Sequence, residues 1–173
     1  QQAKRPKAYL DYKELLMAPD VQAVLVPTSW NSHLQIAEAA MYAGKYVGIE
    51  VGGASSTDEL WHLVHASEAT GVSCMMLENG CYGRNELMAL NLARKGLFGE
   101  LIYCTCGYEH DISEMGILGK DINERAIHNL RRNGDLYPTH GLGPIAKILR
   151  INRGNRFLSL TSQASKARGF QGR

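Results

Sequence analysis

Three short apolar runs separated by two helical stretches constrain this chain more than any other feature. Residues 22–28 (QAVLVPT), 45–50 (KYVGIE) and 72–77 (VSCMML) have the composition that fills strands covered on both faces in a parallel sheet. Between the first two, residues 33–43 place Leu34, Ala37, Ala40 and Met41 on one helical face and stop at Gly44. Between the second and third, Ser56 with Glu59 forms a capping box ahead of Leu60, Leu63 and Val64, and Gly71 ends the helix. The order β-α-β-α-β with short loops predicts parallel strands joined by right-handed crossovers. This is the doubly wound α/β arrangement, whose ligands sit at the carboxyl ends of the strands.

Beyond residue 80 the grammar changes. A helix over 84–95 leads to Gly-Leu-Phe-Gly and then to a strand over 100–108 in which polar and apolar residues mix. Residues 111–135 are polar and irregular, with a helical patch near 122–130. A helix over 141–149 and a strand over 157–161 follow. We expect a division into residues 1–98, the C-terminal part of a dinucleotide-binding domain, and residues 99–173, part of an α+β substrate domain. No internal repeat or low-complexity linker marks the border. A dinucleotide-binding half opens with strand, G-x-G-x-x-G and helix, and no such loop occurs in this sequence. The chain therefore resembles one cut short at both ends.

Composition excludes some function classes. With 45% apolar and 21% charged residues the chain reads as a soluble globular protein. No apolar run approaches the ~20 residues that cross a bilayer, so no membrane partner is expected. Charge is uneven: after Glu124 the only acid is Asp135, against ten Lys or Arg residues ending at Arg173. No aromatic residues interleave with these charges as in a nucleic-acid surface, so nucleic acid is not an expected partner. Cys74, Cys81, Cys104 and Cys106 form no C-x-x-C pair and read as buried, reduced thiols. Compartment stays open between cytoplasm and an exported or periplasmic site.

Successive strand ends supply three polar clusters, P-T-S-W-N-S-H (27–33), I-E-V-G (49–52) and L-E-N-G (77–80). In an open α/β sheet such ends converge on one crevice. P-T-S-W-N-S-H followed by A-G-K-Y-V-G-I-E-V resembles segments of the glucose–fructose oxidoreductase and inositol dehydrogenase family, which joins an NAD(P) domain to an α/β substrate domain. Val51 stands where the sugar dehydrogenases of that family usually place a lysine base. This departure is similar to one branch, the NAD-dependent α-N-acetylgalactosaminidases of glycoside hydrolase family 109. The same branch is resembled in W-x-x-H, E-N-x-C-Y-G, G-L-F-G-E-L, G-Y-E-H-D (107–111) and N-G-x-L-Y-P-T-H-G-L-G-P (133–144).

The resemblance implies that Trp30, Asn31, Ser32, His33, Glu50, Val51 and Asn79 contact NAD. It also implies that Tyr108, Arg125, Tyr137, Pro138, Thr139 and His140 line a sugar pocket. The implied activity is hydrolysis of a glycoside by transient oxidation at sugar C3, loss of the C2 proton, elimination at C1, water addition and re-reduction. Such a site needs proton acceptors but no close pair of carboxylates. His140, an imidazole with an ordinary pKa of about 6.5, is our candidate for the C3 hydroxyl proton, and Tyr108 for the C2 proton. A phenol ordinarily ionises near 10, so Tyr108 in that role needs NAD⁺ or a cation such as Arg125 beside it. Tyr137 would orient the sugar. By analogy with the wider family a homo-oligomer is expected.

Without the resemblance these residues read more plainly: half-buried tyrosines, a helix-start histidine, a solvated arginine. Glu109, His110 and Asp111 suggest a metal, but neighbours in a strand point to opposite faces, and no metal site is expected. Two alternatives stand beside the glycosidase. One is an NAD(P)-dependent sugar or cyclitol dehydrogenase with His140 as base. The other is an inactive fragment or interaction module, suggested by the missing glycine loop.

Overall fold

A computed structural model describes residues 5–111 and 124–166. The chain divides into two compact units, Gln1–Leu77 and Glu78–Arg173. Compactness thus breaks between Leu77 and Glu78, earlier than the division expected at 98/99, because the helix after residue 83 packs within the second unit.

The first unit runs α1 (Tyr12–Met17), β1 (Ala23–Val26), α2 (Trp30–Tyr42), β2 (Tyr46–Ile49), α3 (Thr57–Thr70) and β3 (Cys74–Met76). The three strands pair in parallel in the order β1-β2-β3, with Val26 opposite Ile49 and Ile49 opposite Met76. This is the expected α/β frame. Its helix ends follow local chemistry: Ser56 accepts from the Glu59 N–H at 3.2 Å and the Glu59 carboxylate answers at the Ser55 N–H, while Gly71 closes α3 at φ 69°. The core gathers Val24, Val26, Val47 and Ile49 from the strands with Ala37, Ala40 and Met41 from α2 and Ala66 from α3. Small alanines at the centre of α2 let the helix lie close to α3 and the sheet.

Two expectations fail in instructive ways. β1 alternates exposed and buried residues, and Leu25 is 72% exposed where a strand covered on both faces was expected. Along β1 only Val24 and Val26 are buried, the pattern of a strand with one covered face, whereas β2 buries Val47, Gly48 and Ile49 in succession. Helix α2 also begins at Trp30 rather than at 33, its first turn closed by the Ser32 N–H donating to the Ser29 carbonyl at 3.0 Å.

The second unit opens with a 3₁₀ turn, Asn79–Tyr82, then α4 (Arg84–Arg94), α5 (Glu124–Arg131) and α6 (Thr139–Ile148). The first part of the helical patch expected over 122–130 lies outside the described residues. Strands expected over 100–108 and 157–161 do not form. A ladder needs a neighbouring strand to accept and donate its backbone bonds, and neither segment has one among the described residues. No helix among the described residues is long and apolar enough to cross a membrane. All four cysteines are free, but only Cys81 is fully buried and Cys106 is exposed, against the expectation of four buried thiols.

Candidate active site

The strand ends of the first unit hold most of the residues expected at a cofactor. Parallel pairing brings the ends of β1 and β2 side by side, the Glu50 N–H donating to the Val26 carbonyl at 3.2 Å. At the end of β1 the Ser32 hydroxyl donates to the Thr28 hydroxyl at 2.9 Å and lies 2.8 Å from the Ser29 carbonyl. His33 is wholly buried, with Nε2 at 2.9 Å from the Thr28 carbonyl. A carbonyl only accepts, so Nε2 carries the hydrogen and Nδ1 holds a lone pair. That Nδ1 is buried with no hydrogen-bond partner among the described residues. Val51 is buried as well, at 1% exposure. His33 and Val51 therefore shape the loops, while Asn31 and Glu50 are exposed and Trp30 and Ser32 half-buried.

Gly52 explains how these two loops fit together. Its φ is +95°, in the region that favours glycine, and a Cβ there would stand 2.5 Å from the Trp30 indole nitrogen. The indole occupies the space a side chain would fill. Glycine at position 52 is thus a steric requirement of Trp30.

The third cluster divides between the units: Leu77 closes the first, and Glu78 to Gly80 open the second. Within the second unit Glu78 and His140 meet. His140 Nδ1 lies 2.6 Å from Glu78 Oε1, with side-chain exposures of 12% and 8%. The same oxygen accepts from the Gly80 N–H at 2.8 Å. Burial pushes the Glu78 carboxyl upward, but the His140 hydrogen bond, the Gly80 N–H, the nearby Thr139 hydroxyl and attraction to His140 outweigh it and hold the group below its ordinary value. Thr139 Oγ1 and Glu78 Oε2 each lack a well-formed hydrogen bond, and the hydroxyl acts by its dipole. An ionised carboxylate only accepts, so Nδ1 carries the hydrogen of this bond and Nε2 is the nitrogen not committed to Glu78.

Backbone chemistry allows this approach. Helix α6 starts at Thr139, two residues before the expected 141, so His140 sits in its first turn. Pro144 has no N–H to give the His140 carbonyl, and that carbonyl lies over Gly80, 3.1 Å from where a Cβ would stand. A Cβ on Gly143 would stand 2.8 Å from Cys81 Sγ and 2.9 Å from Glu78 Cγ. Bare glycines at 80 and 143 therefore let the turn and the helix bring Glu78 and His140 together. Burial raises the Cys81 thiol; the Lys147 charge opposes this, and the Glu78 charge adds to it.

Around His140 the rings expected at a sugar assemble. Tyr108 meets it edge-on, with centroids 4.4 Å apart at 70°, and Tyr137 lies 4.6 Å away. The two tyrosines stack at 5.6 Å and 28°. Tyr108 stays 47% exposed. Pro138 and Asn79 are exposed, and Arg125 lies on α5 with its side chain outside the described residues. No cluster of three metal-ligating residues occurs among the described residues. The sequence reading missed Glu78 as the partner of His140. The two are far apart in the chain, and no spacing rule connects them.

The fold defines a class first. An NAD-binding oxidoreductase from Klebsiella pneumoniae superposes on 54% of this chain and 25% of its own, with a TM-score of 0.51 and 30% identity. The family is narrower: the model for the C-terminal domain of glycosyl hydrolase 109 matches residues 82–172, and the chain belongs to that family. An α-N-acetylgalactosaminidase of Tannerella forsythia is 44% identical over 95% of this chain and 40% of that protein. A glycosyl hydrolase family 109 protein of Shewanella amazonensis is 46% identical over 96% of this chain and 36% of that protein. The chain thus spans about 40% of the length of the curated relatives it matches.

Proposed function

We propose that this chain contributes the cofactor-side loops and the proton-transferring residues of an NAD-dependent glycosidase acting on α-N-acetylgalactosaminides. The observation that carries the reading is the close pair of a partly buried His140 and a buried Glu78, with Tyr108 and Tyr137 packed on the imidazole. Carboxylate-oriented imidazole plus aromatic rings is a site that takes a proton from a hydroxyl while a flat apolar face stacks on a tyrosine.

The residues of the first unit fit a nicotinamide dinucleotide. Exposed Asn31 and Glu50 stand at adjacent parallel strand ends, and buried His33 and Val51 fix the loops that carry them. With NAD⁺ bound, the chemistry supplied is reversible hydride acceptance at a sugar carbon. Trp30, Asn31, Ser32 and Glu50 would hold it, with His33 and Val51 acting through the backbone.

In the second unit each side chain has a proton task. His140 Nε2 takes the C3 hydroxyl proton, and the Glu78 carboxylate stabilises the imidazolium that results. Tyr108 accepts the C2 proton, and Arg125 is its candidate cation. Tyr137 orients the ring, and Pro138 and Thr139 set the position of His140. The expected result is release of free sugar from 4-nitrophenyl α-N-acetylgalactosaminide with no net change in NADH absorbance. Accumulation of one NADH per sugar consumed would instead identify a dehydrogenase. Calorimetric titration with NAD⁺, with His33→Ala and Glu50→Ala as comparisons, tests the cofactor half. Saturable binding weakened in both variants supports it, and equal binding by all three contradicts it. A homo-oligomeric state is a further part of this proposal, tested by light scattering, and the compartment, cytoplasmic or periplasmic/exported, is decided by cell fractionation.

A further inference from the structure

The G-Y-E-H-D segment carries a histidine that this reading leaves unused. His110 is exposed, and its ring lies 4.5 Å from the Tyr108 centroid at 54°. Tyr108 is its ring contact among the described residues, and neither of its nitrogens makes a hydrogen bond there. His140 differs on both counts: it touches Tyr137 as well, and its Nδ1 is committed to Glu78. Tyr108 therefore contacts two imidazoles, one oriented by a carboxylate and one whose nitrogens make no hydrogen bond among the described residues.

We propose that His110 is the general acid of the site, the group that gives a proton to the departing glycosidic oxygen. The proposal rests on the glycosidase reading above. In a hexopyranoside C2 lies between C1 and C3, and each position needs a different proton service. With His140 serving the C3 hydroxyl and Tyr108 the C2 proton, the imidazole on Tyr108 that does not join the His140–Tyr137 cluster falls to C1. In the cleaving step the C2–H bond breaks and its electron pair forms the C1–C2 double bond, the proton passing to Tyr108. The C1–O bond breaks with its pair on oxygen, and that oxygen receives the His110 proton. When water adds, its oxygen bonds C1, one of its protons restores His110, and Tyr108 returns a proton to C2. Water is the only reagent consumed, and the nicotinamide cofactor that makes the C2 proton acidic ends unchanged.

Leaving groups separate this role from a structural one. Nitrophenoxide departs as a stable anion, whereas methoxide does not. In the full chain supplied with NAD⁺, His110→Gln is expected to lower kcat/KM for methyl α-N-acetylgalactosaminide about 100-fold. For the 4-nitrophenyl glycoside it should lower it no more than about five-fold. Added imidazole should restore methyl glycoside turnover to His110→Gly. Equal loss on both substrates, or no loss on either, would overturn the assignment. Absence of sugar release from both glycosides by the unsubstituted chain would overturn the glycosidase reading itself, and the two failures are thereby told apart.

Discussion

A wholly buried histidine in the first unit and a partly buried one in the second show how a partner decides what an imidazole does. His33 gives its Nε2 hydrogen to the Thr28 carbonyl, while His140 gives its Nδ1 hydrogen to the Glu78 carboxylate. A carbonyl holds a neutral ring in place and offers little to a cation; a carboxylate stabilises the charged ring that forms when the other nitrogen takes a proton. The first arrangement pins a loop at a strand end. The second is the arrangement that the proposed base requires.

Substitutions that swap these partners bear on the contrast most strongly. His140→Ala should lower glycoside turnover about 1,000-fold, and Glu78→Gln about 100-fold, because an amide neither fixes the tautomer nor balances the imidazolium. Steady-state kinetics should place both losses in kcat. The pair also has an acid signature. Since the Glu78 carboxyl is held below its unfolded value, its stabilisation is present above that unfolded value, about 4.3, and is lost as pH falls through the lower folded value. Acid titration of stability should show this loss, and Glu78→Gln should remove it.

His33→Ala should cost about 3 kcal/mol of stability through the cavity it leaves, read as a lower midpoint in urea, with the shape of the pH–rate profile unchanged. A changed profile would mean that His33 transfers protons and would dissolve the distinction. Gly143→Ala should cost about 2 kcal/mol by overpacking against Cys81 and Glu78, and it should lower turnover because the collision displaces the carboxylate. The smallest effect belongs to the frame: Ser56→Ala should cost about 1 kcal/mol as a lost N-cap, with turnover unaffected.

The same contrast explains what was legible in the sequence. Features set by neighbours in the chain were readable: Ser56 and Glu59 cap α3, Gly71 ends it in a left-handed conformation, and the parallel order of the first unit follows from alternation. Features set by distant partners were not. Residues 100–108 and 157–161 have strand-like composition, yet no described strand pairs with them. Leu25 fits a doubly covered strand by composition, yet it is exposed. The candidate site divides in the same way. His140, Tyr108 and Tyr137 were found through a motif resemblance, and the structure groups them. Glu78 was visible only as part of L-E-N-G, because its hydrogen-bond partner is at a helix start 62 positions later.

The central claim is that the carbon beside the anomeric centre loses and regains a proton during turnover. Hydrolysis of 4-nitrophenyl α-N-acetylgalactosaminide in D₂O, followed by NMR of the released sugar, tests it most directly. The account predicts deuterium at C2 of the product. Product that keeps its C2 protium, formed at a normal rate, would show that the bond is cleaved by direct displacement and would contradict it.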